Sequence, residues 1–352
     1  MAGLKIALIN GIKPMKGSGD GITEYAYNMY LQLRKKNKVD LIYAIERARK
    51  NDALGLIRIN SALGKKAEEA AGEDYDIFHI VNQEVGFVAK AIKSVDRTRK
   101  VVTTIHDISR FQNGLHAGFM QKAYNEVVKR SIKNAVDYSD FLVFDSAQTM
   151  AEVENRFSRM LGQVVSIGID SRFSAPIRKR TGMFVVGYLG SFAHHKNVMM
   201  LIKAANMLKT QNIEFRVYGV GNDYWRVSRY IDAHGLDNVR LMGFADERKK
   251  VGIYDGFNVF VFPSLYEGFG LPILEAQARG LPVVIYKHGK ISAEVRRHCM
   301  GAGSSKQLLE VILKLKKRGY DTSKRAAAIS YARSFTWERC AKETFDIYKG
   351  LI

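Results

Sequence analysis

The chain has 352 residues, of which 47% are hydrophobic and 26% charged. That composition excludes a long disordered polymer and leaves room for two α/β domains. The formal net charge of +20 attracts polyanions, whether nucleic acid, anionic lipid headgroups or phosphorylated substrates, without choosing among them. The two cysteines, Cys299 and Cys340, are too few for a disulfide framework and have no metal-ligand spacing, so they read as buried thiols of a reducing compartment.

In chain order, strands are expected over 4–9, 39–45, 76–81, 100–105 and 141–145, with helices over about 22–36, 84–94 and 117–138. The first apolar run is too short for a signal-peptide core. No run approaches the roughly 20 apolar residues that cross a bilayer. A cytoplasmic protein is expected, or one peripheral on the cytoplasmic membrane face. The basic, Pro-containing stretch from Ser174 reads as a linker over 174–182, which closes a first domain over 1–173. A second series follows over 183–336, with strands at 183–189, 213–218, 239–242, 258–262 and 282–286. Its helices are expected at about 197–210, 223–234, 247–254, 272–279, 292–298 and 304–317. A final amphipathic helix over 337–352, with Thr336 placed as its N-cap, is assigned to the first domain. The alternation of strand and helix implies two Rossmann-like, doubly wound parallel sheets, whose ligands bind beyond the carboxyl ends of the strands, in a cleft between the domains.

The segment Phe262-Pro263-Ser264-Leu265-Tyr266-Glu267-Gly268-Phe269-Gly270-Leu271-Pro272-Ile273-Leu274-Glu275 carries the most chemistry. An apolar strand ends at Phe262, a Gly-rich loop follows, and Pro272 suits the first position of a helix, where its missing N–H costs nothing. The N–H groups near Gly270 and Leu271 would point out of a helix start, where anions bind. Glu267 on the loop and Glu275 on the helix can each accept hydrogen bonds from vicinal hydroxyls. A second constellation, Tyr188 to Asn197, puts Lys196 at a helix start, as a point charge for a diphosphate. Gly219 and Gly221 follow a strand and permit close backbone approach to a ligand. Gly17-Ser18-Gly19-Asp20-Gly21 does the same between the first strand and first helix. His106 and Asp107 end the fourth strand, and His79 ends the third.

The Glu-x7-Glu spacing of Glu267 and Glu275 resembles the motif of the GT-B glycosyltransferases of family 4, a family that includes sucrose synthase and bacterial phosphatidylinositol mannosyltransferases. Asn238 to Phe244 before the motif and Ala278 to Val284 after it are similar too, and the likeness is strongest from Gly187 to Gly280. The resemblance implies a retaining hexosyltransferase that uses a UDP- or GDP-sugar. UDP-glucose, UDP-N-acetylglucosamine and GDP-mannose are all open as donors; the hydroxyl acceptor is open too, with lipid-linked and polysaccharide acceptors among the candidates. It implies that Glu267 contacts sugar hydroxyls and that Glu275 binds the ribose diol. The backbone around Phe269, Gly270 and Leu271 would meet the sugar and the distal phosphates. Gly219 and Gly221 would lie on the nucleotide side, and the loop with Gly19 and Gly21 would close over the diphosphate. His106 would contact the transferred sugar, with Asp107 and His79 on the acceptor side. No cofactor or metal is expected. The family's usual Arg, five residues before Lys196, is Ser191 here. That departure leaves a catalytically weak sugar-nucleotide-binding subunit as the alternative. An anionic membrane surface is a candidate partner of the basic helix faces. A nucleic-acid-binding protein, suggested by charge alone, has no motif in its support, and no specific nucleic acid is expected.

Overall fold

The computed structural model describes residues 3–16, 21–46, 53–111, 119–157, 161–177 and 182–352. The chain forms two compact units, Met1–Gly168 with Trp337–Ile352, and Ile169–Thr336. Among the described residues no helix is long and apolar enough to cross a membrane.

The first unit contains strands β1 (Lys5–Ile12), β2 (Lys38–Ile45), β3 (Ile77–Ile80), β4 (Val101–Ile105), β5 (Phe141–Phe144) and β6 (Gly162–Val164). They pair in the order β2-β1-β3-β4-β5-β6, and every pairing is parallel. β3 and β4 are buried along their whole length, as strands covered on both faces must be. Helices α1 (Gly21–Leu33), α2 (Ala53–Ala71), α3 (Val88–Val95), α4 (Phe119–Tyr138) and α5 (Ala147–Glu154) alternate with them. Ser146 opens α5 by accepting the Thr149 N–H at 3.1 Å, which satisfies one of the orphan donors of the first turn.

The closing helix of this unit comes from the chain's end. Among its buried residues are Trp337, Cys340 and Tyr348. Trp337 meets Tyr25 of α1 edge-on with ring centroids 5.9 Å apart. Cys340 lies against Met29. The Tyr348 hydroxyl is 2.5 Å from His79 Nδ1, and His79 Nε2 is 2.8 Å from Thr104 Oγ1. His79, expected on the acceptor side, is 0% exposed, and both of its ring nitrogens are engaged inside the core. Burial pushes its pKa down to about 3, because a charged imidazole there would lose its hydration.

The second unit contains β7 (Phe184–Leu189), β8 (Ile213–Tyr218), β9 (Val239–Gly243), β10 (Val259–Phe262), β11 (Val283–Tyr286) and β12 (Met300–Ala302). Their order is β12-β11-β10-β7-β8-β9, again parallel throughout. The helices are α6 (Val198–Met207), α7 (Tyr224–His234), α8 (Lys250–Asp255), α9 (Leu271–Ala278), α10 (Ala293–Arg296), α11 (Ser305–Arg318) and α12 (Thr322–Arg333). The chain winds from β7 outward through β8 and β9, then returns to the other side of β7 at β10. Connections leaving adjacent β7 and β10 therefore diverge, and the crevice they open at the carboxyl ends is where ligands of such sheets bind.

Residues 169–177 pack with this second unit. Arg279 is fully buried and uses all five of its donors. Two go to Asp255 at 2.9 and 2.8 Å, and three reach the carbonyls of Phe173, Ala175 and Pro176 at 3.1, 2.6 and 3.0 Å. Residues 178–181 of the expected linker lie outside the described residues.

Five elements were not expected: α2, α5, α12, β6 and β12. The two strands are three-residue edges, Gly-Gln-Val and Met-Gly-Ala, too short to show a period. α12 buries only Ala328 and Ala332, so its sequence has no strong apolar stripe. The helix expected over 84–94 splits into a 3-10 turn, Gln83–Val85, and α3.

Candidate functional site

Two loops at the switch between β7 and β10 are stitched to each other. After β7 the Tyr188 hydroxyl donates to the Ser191 carbonyl at 2.8 Å. A 3-10 turn, His194–Lys196, follows, and Asn197 then takes the left-handed conformation (φ 51°) that Asn tolerates. The Asn197 side chain donates to the Pro263 carbonyl at 3.2 Å, and the Leu265 N–H donates to the His195 carbonyl at 2.7 Å. On the far side, the loop after β10 pairs with residue 290: Lys290 N–H donates to Leu265 O at 2.8 Å, and Glu267 N–H to Lys290 O at 2.9 Å.

These bonds bring together two residues 71 positions apart in sequence. Lys196 Nζ lies 2.7 and 2.8 Å from the two carboxylate oxygens of Glu267. The side chains are only 17% and 10% exposed. The ammonium also stands 5.6 Å from the centre of the Phe262 ring, a cation–π contact. Phe262 in turn stacks toward Tyr188 and Phe260, so the pair rests on an aromatic layer of the core.

α9 starts at Leu271, with Gly270 as its N-cap at φ 106°, a conformation that suits glycine. Pro272 is therefore the second helical residue, still within the turn whose N–H groups have no intrahelical partner. Phe269 is buried against Phe335. Its carbonyl accepts from Ser292 Oγ at 3.3 Å. Glu275 is 7% exposed and is held by the buried Tyr254 hydroxyl, 2.7 Å from Oε2, with Lys250 Nζ 3.7 Å from Oε1. Tyr254 and Lys250 lie on α8, and no motif in the sequence points to them.

Gly219 and Gly221 approach backbone rather than open space. A Cβ on Gly219 would lie 1.8 Å from the Gly190 carbonyl oxygen, and one on Gly221 2.8 Å from the Phe192 amide nitrogen. The turn after β8 packs directly on the turn after β7, and Phe192 N–H donates to Val220 O at 2.9 Å. The glycines thus shape the loop that carries Lys196. Ser191 is exposed and supplies no cation. His194 pairs with Asp223 at 3.5 Å, at the start of α7. A cavity of about 440 Å³ borders this turn, with Lys203, Arg226 and Tyr286 in its wall. Its lining does not include Lys196, Glu267 or Glu275.

In the first unit, His106 follows β4, and Asp145 is its neighbour at the end of β5. His106 Nδ1 lies 3.4 Å from Asp145 Oδ2, and Nε2 lies 3.1 Å from the Val81 carbonyl. Burial alone would lower its pKa, but the Asp145 carboxylate and the Val81 carbonyl together raise it above that of a free histidine. Asp145 carries no signal in the sequence, because its partner is reached only across two strands. Asp107 accepts from the Ser109 N–H at 2.9 Å and from Ser109 Oγ at 2.6 Å, and so caps the turn Ser109–Phe111. Gly21 is the first residue of α1. Gly19 lies outside the described residues. Among the described residues, no three His, Cys, Asp or Glu side chains are grouped as metal ligands.

Residues 170–335, nearly the whole second unit, match the family model of the glycosyl transferases group 1. The O-antigen chain mannosyltransferase B of Escherichia coli is 24% identical over 275 residues, 72% of this chain and 71% of that protein. The D-inositol 3-phosphate glycosyltransferase of Corynebacterium aurimucosum is 24% identical over 310 residues, 78% of this chain and 72% of that one. Among solved structures, the sucrose-phosphate synthase of Thermosynechococcus elongatus superposes with a TM-score of 0.76 at 19% identity, covering 99% of both chains. Anabaena Alr3699/HepE, in complex with UDP and glucose, superposes with a TM-score of 0.73 at 18% identity, covering 99% of this chain and 100% of that one. With its two parallel six-stranded sheets, the chain has the GT-B fold of glycosyltransferases, and its second unit matches the glycosyl transferases group 1 model.

Proposed function

We propose that this chain is a retaining, metal-independent hexosyltransferase of the family 4 type, taking its sugar from a UDP- or GDP-sugar and passing it to a hydroxyl acceptor. The observation that carries this reading is the nearly buried Lys196–Glu267 pair at the β7/β10 switch, one helix start away from Glu275. The relatives named as mannosyl- and glycosyltransferases, and the HepE complex with UDP and glucose, support it.

On this reading Glu275 accepts from the ribose hydroxyls and Glu267 from the sugar hydroxyls. Lys196 and the N–H groups at the start of α9 stabilise the charge that develops on the leaving diphosphate. The sugar becomes oxocarbenium-like, and the acceptor hydroxyl enters on the face the diphosphate leaves. The leaving phosphate itself takes the acceptor's proton. His106 of the first unit serves the transferred sugar. Lipid-linked and polysaccharide hydroxyls are the candidate acceptors, and an anionic membrane surface is a candidate docking place.

Ser191 favours a second reading, a sugar-nucleotide-binding subunit with weak catalysis, because the place of the family's Arg offers no charge. A thermal-shift screen against UDP, GDP and their sugar nucleotides, followed by a donor-hydrolysis assay with and without EDTA, tests both. Stabilisation by a sugar nucleotide together with EDTA-resistant turnover is expected. Binding without turnover selects the second reading, and no binding rejects both.

A further inference from the structure

Lys196 already has a counter-ion. Both oxygens of Glu267 lie within 2.8 Å of its ammonium, and the pair is largely withdrawn from water. The contact is set by backbone: one loop is held by Asn197 on the Pro263 carbonyl, the other by the two bonds to residue 290. Within this pair one positive and one negative charge cancel, so the local field offered to a diphosphate is small. A diphosphate that takes Lys196 must displace the carboxylate. The displaced carboxylate is then a little-hydrated anion beside another anion, which is costly unless new donors reach it. Sugar hydroxyls are such donors. Ser191 supplies no second cation to offset the loss.

We propose that Glu267 is an exchangeable counter-ion that makes Lys196 selective for an intact sugar nucleotide over a free nucleoside diphosphate. With the intact donor, the diphosphate takes Lys196 while the sugar hydroxyls take Glu267, and both partners of the broken ion pair are satisfied. With the diphosphate alone, only Lys196 is satisfied and Glu267 is left against the phosphates. The same asymmetry favours release of the nucleoside diphosphate after transfer, when the sugar has gone and the ion pair can re-form. The inference rests on the donor-site reading above.

Calorimetric titration of UDP and GDP, and of UDP-glucose and GDP-mannose, into the wild-type chain, Glu267→Gln, Lys196→Met and the double variant tests it. Glu267→Gln is expected to bind the free nucleoside diphosphate about tenfold tighter, while losing affinity for the intact sugar nucleotide. In the Lys196→Met background the same substitution is expected to leave diphosphate affinity nearly unchanged. Glu267→Ala removes the same charge and gives the same sign for the free diphosphate, should the amide disturb folding. Diphosphate binding by Glu267→Gln no tighter than wild type overturns the counter-ion role while leaving the donor site standing. Equal tightening without Lys196 shows bare repulsion and overturns the exchange. No nucleotide binding by any of the four chains removes the donor-site reading and this inference together.

Discussion

Glu275 offers the sharpest separation of a ligand role from a structural one, because the structure supplies the structural role in full. Its Oε2 accepts from the Tyr254 hydroxyl at 2.7 Å, and Tyr254 is fully buried. Glu275→Ala leaves that hydroxyl with only the Pro272 carbonyl at 3.4 Å, so the variant should lose about 1–3 kcal/mol of stability, the cost of an unsatisfied buried donor. Glu275→Gln keeps the volume and one acceptor oxygen for Tyr254, and should lose about 1 kcal/mol or less. For ribose binding the order differs. The neutral amide offers one acceptor oxygen, which Tyr254 also uses, in place of two charged ones, and a hydrogen bond to a charged group contributes about 1.5–3 kcal/mol. Glu275→Gln should therefore bind the nucleoside diphosphate about ten- to a hundredfold more weakly while nearly as stable as wild type. Urea unfolding and calorimetry on the same preparations provide both readouts. Full nucleotide affinity in Glu275→Gln would refute the ribose role and leave Glu275 as a partner for Tyr254 alone.

Lys196→Ala should lower turnover by on the order of a hundredfold or more, the scale of removing one donor aimed at transition-state charge, and near-normal turnover would remove Lys196 from the mechanism. Gly219→Ala puts a methyl 1.8 Å from the Gly190 carbonyl oxygen at φ 146°, and should cost about 3 kcal/mol or more by urea unfolding. Gly235→Ala, at φ 55° with nothing within 4 Å, should cost only about 1–2 kcal/mol; equal losses at the two sites would contradict the loop packing. His79, whose pKa burial holds at about 3, stays neutral in the fold while the unfolded chain takes a proton below about 6.5. Its contribution is fully present above the unfolded value and is lost as pH falls from there toward about 3, by roughly 1.4 kcal/mol per unit. Stability measured from pH 7 to pH 5 should fall less steeply in His79→Gln than in wild type, and parallel curves would refute the assignment.

Much of the architecture is local and could be read from the chain. The buried runs of β3, β4, β7 and β10 are apolar enough to declare themselves, and the Gly-rich turn before Pro272 marks where a helix must begin. The spacing of Glu267 and Glu275 across that turn already assigns one to a loop and the other to a helix, because Gly270 and Pro272 fix the boundary between them. Other features depend on residues far apart in sequence. Nothing near Lys196 predicts that its ammonium rests against Glu267, since that contact exists only because β7 and β10 are neighbours in the sheet. His79 has the residue type and strand-end position of a site residue, yet a tyrosine 269 positions away closes over it. Arg279 falls in a stretch that resembles the family, but its five hydrogen bonds to Asp255 and to the carbonyls of 173–176 could not be inferred from there. Gly219 and Gly221 were legible as positions of close approach, while the identity of what they approach, the backbone of Gly190 and Phe192, was not. The physical reason is the same in each case. Periodicity, turn chemistry and capping act over a few residues and are written in the order of side chains. Charge pairing, burial and backbone contact are decided by which strands become neighbours, and that depends on how the whole sheet is wound.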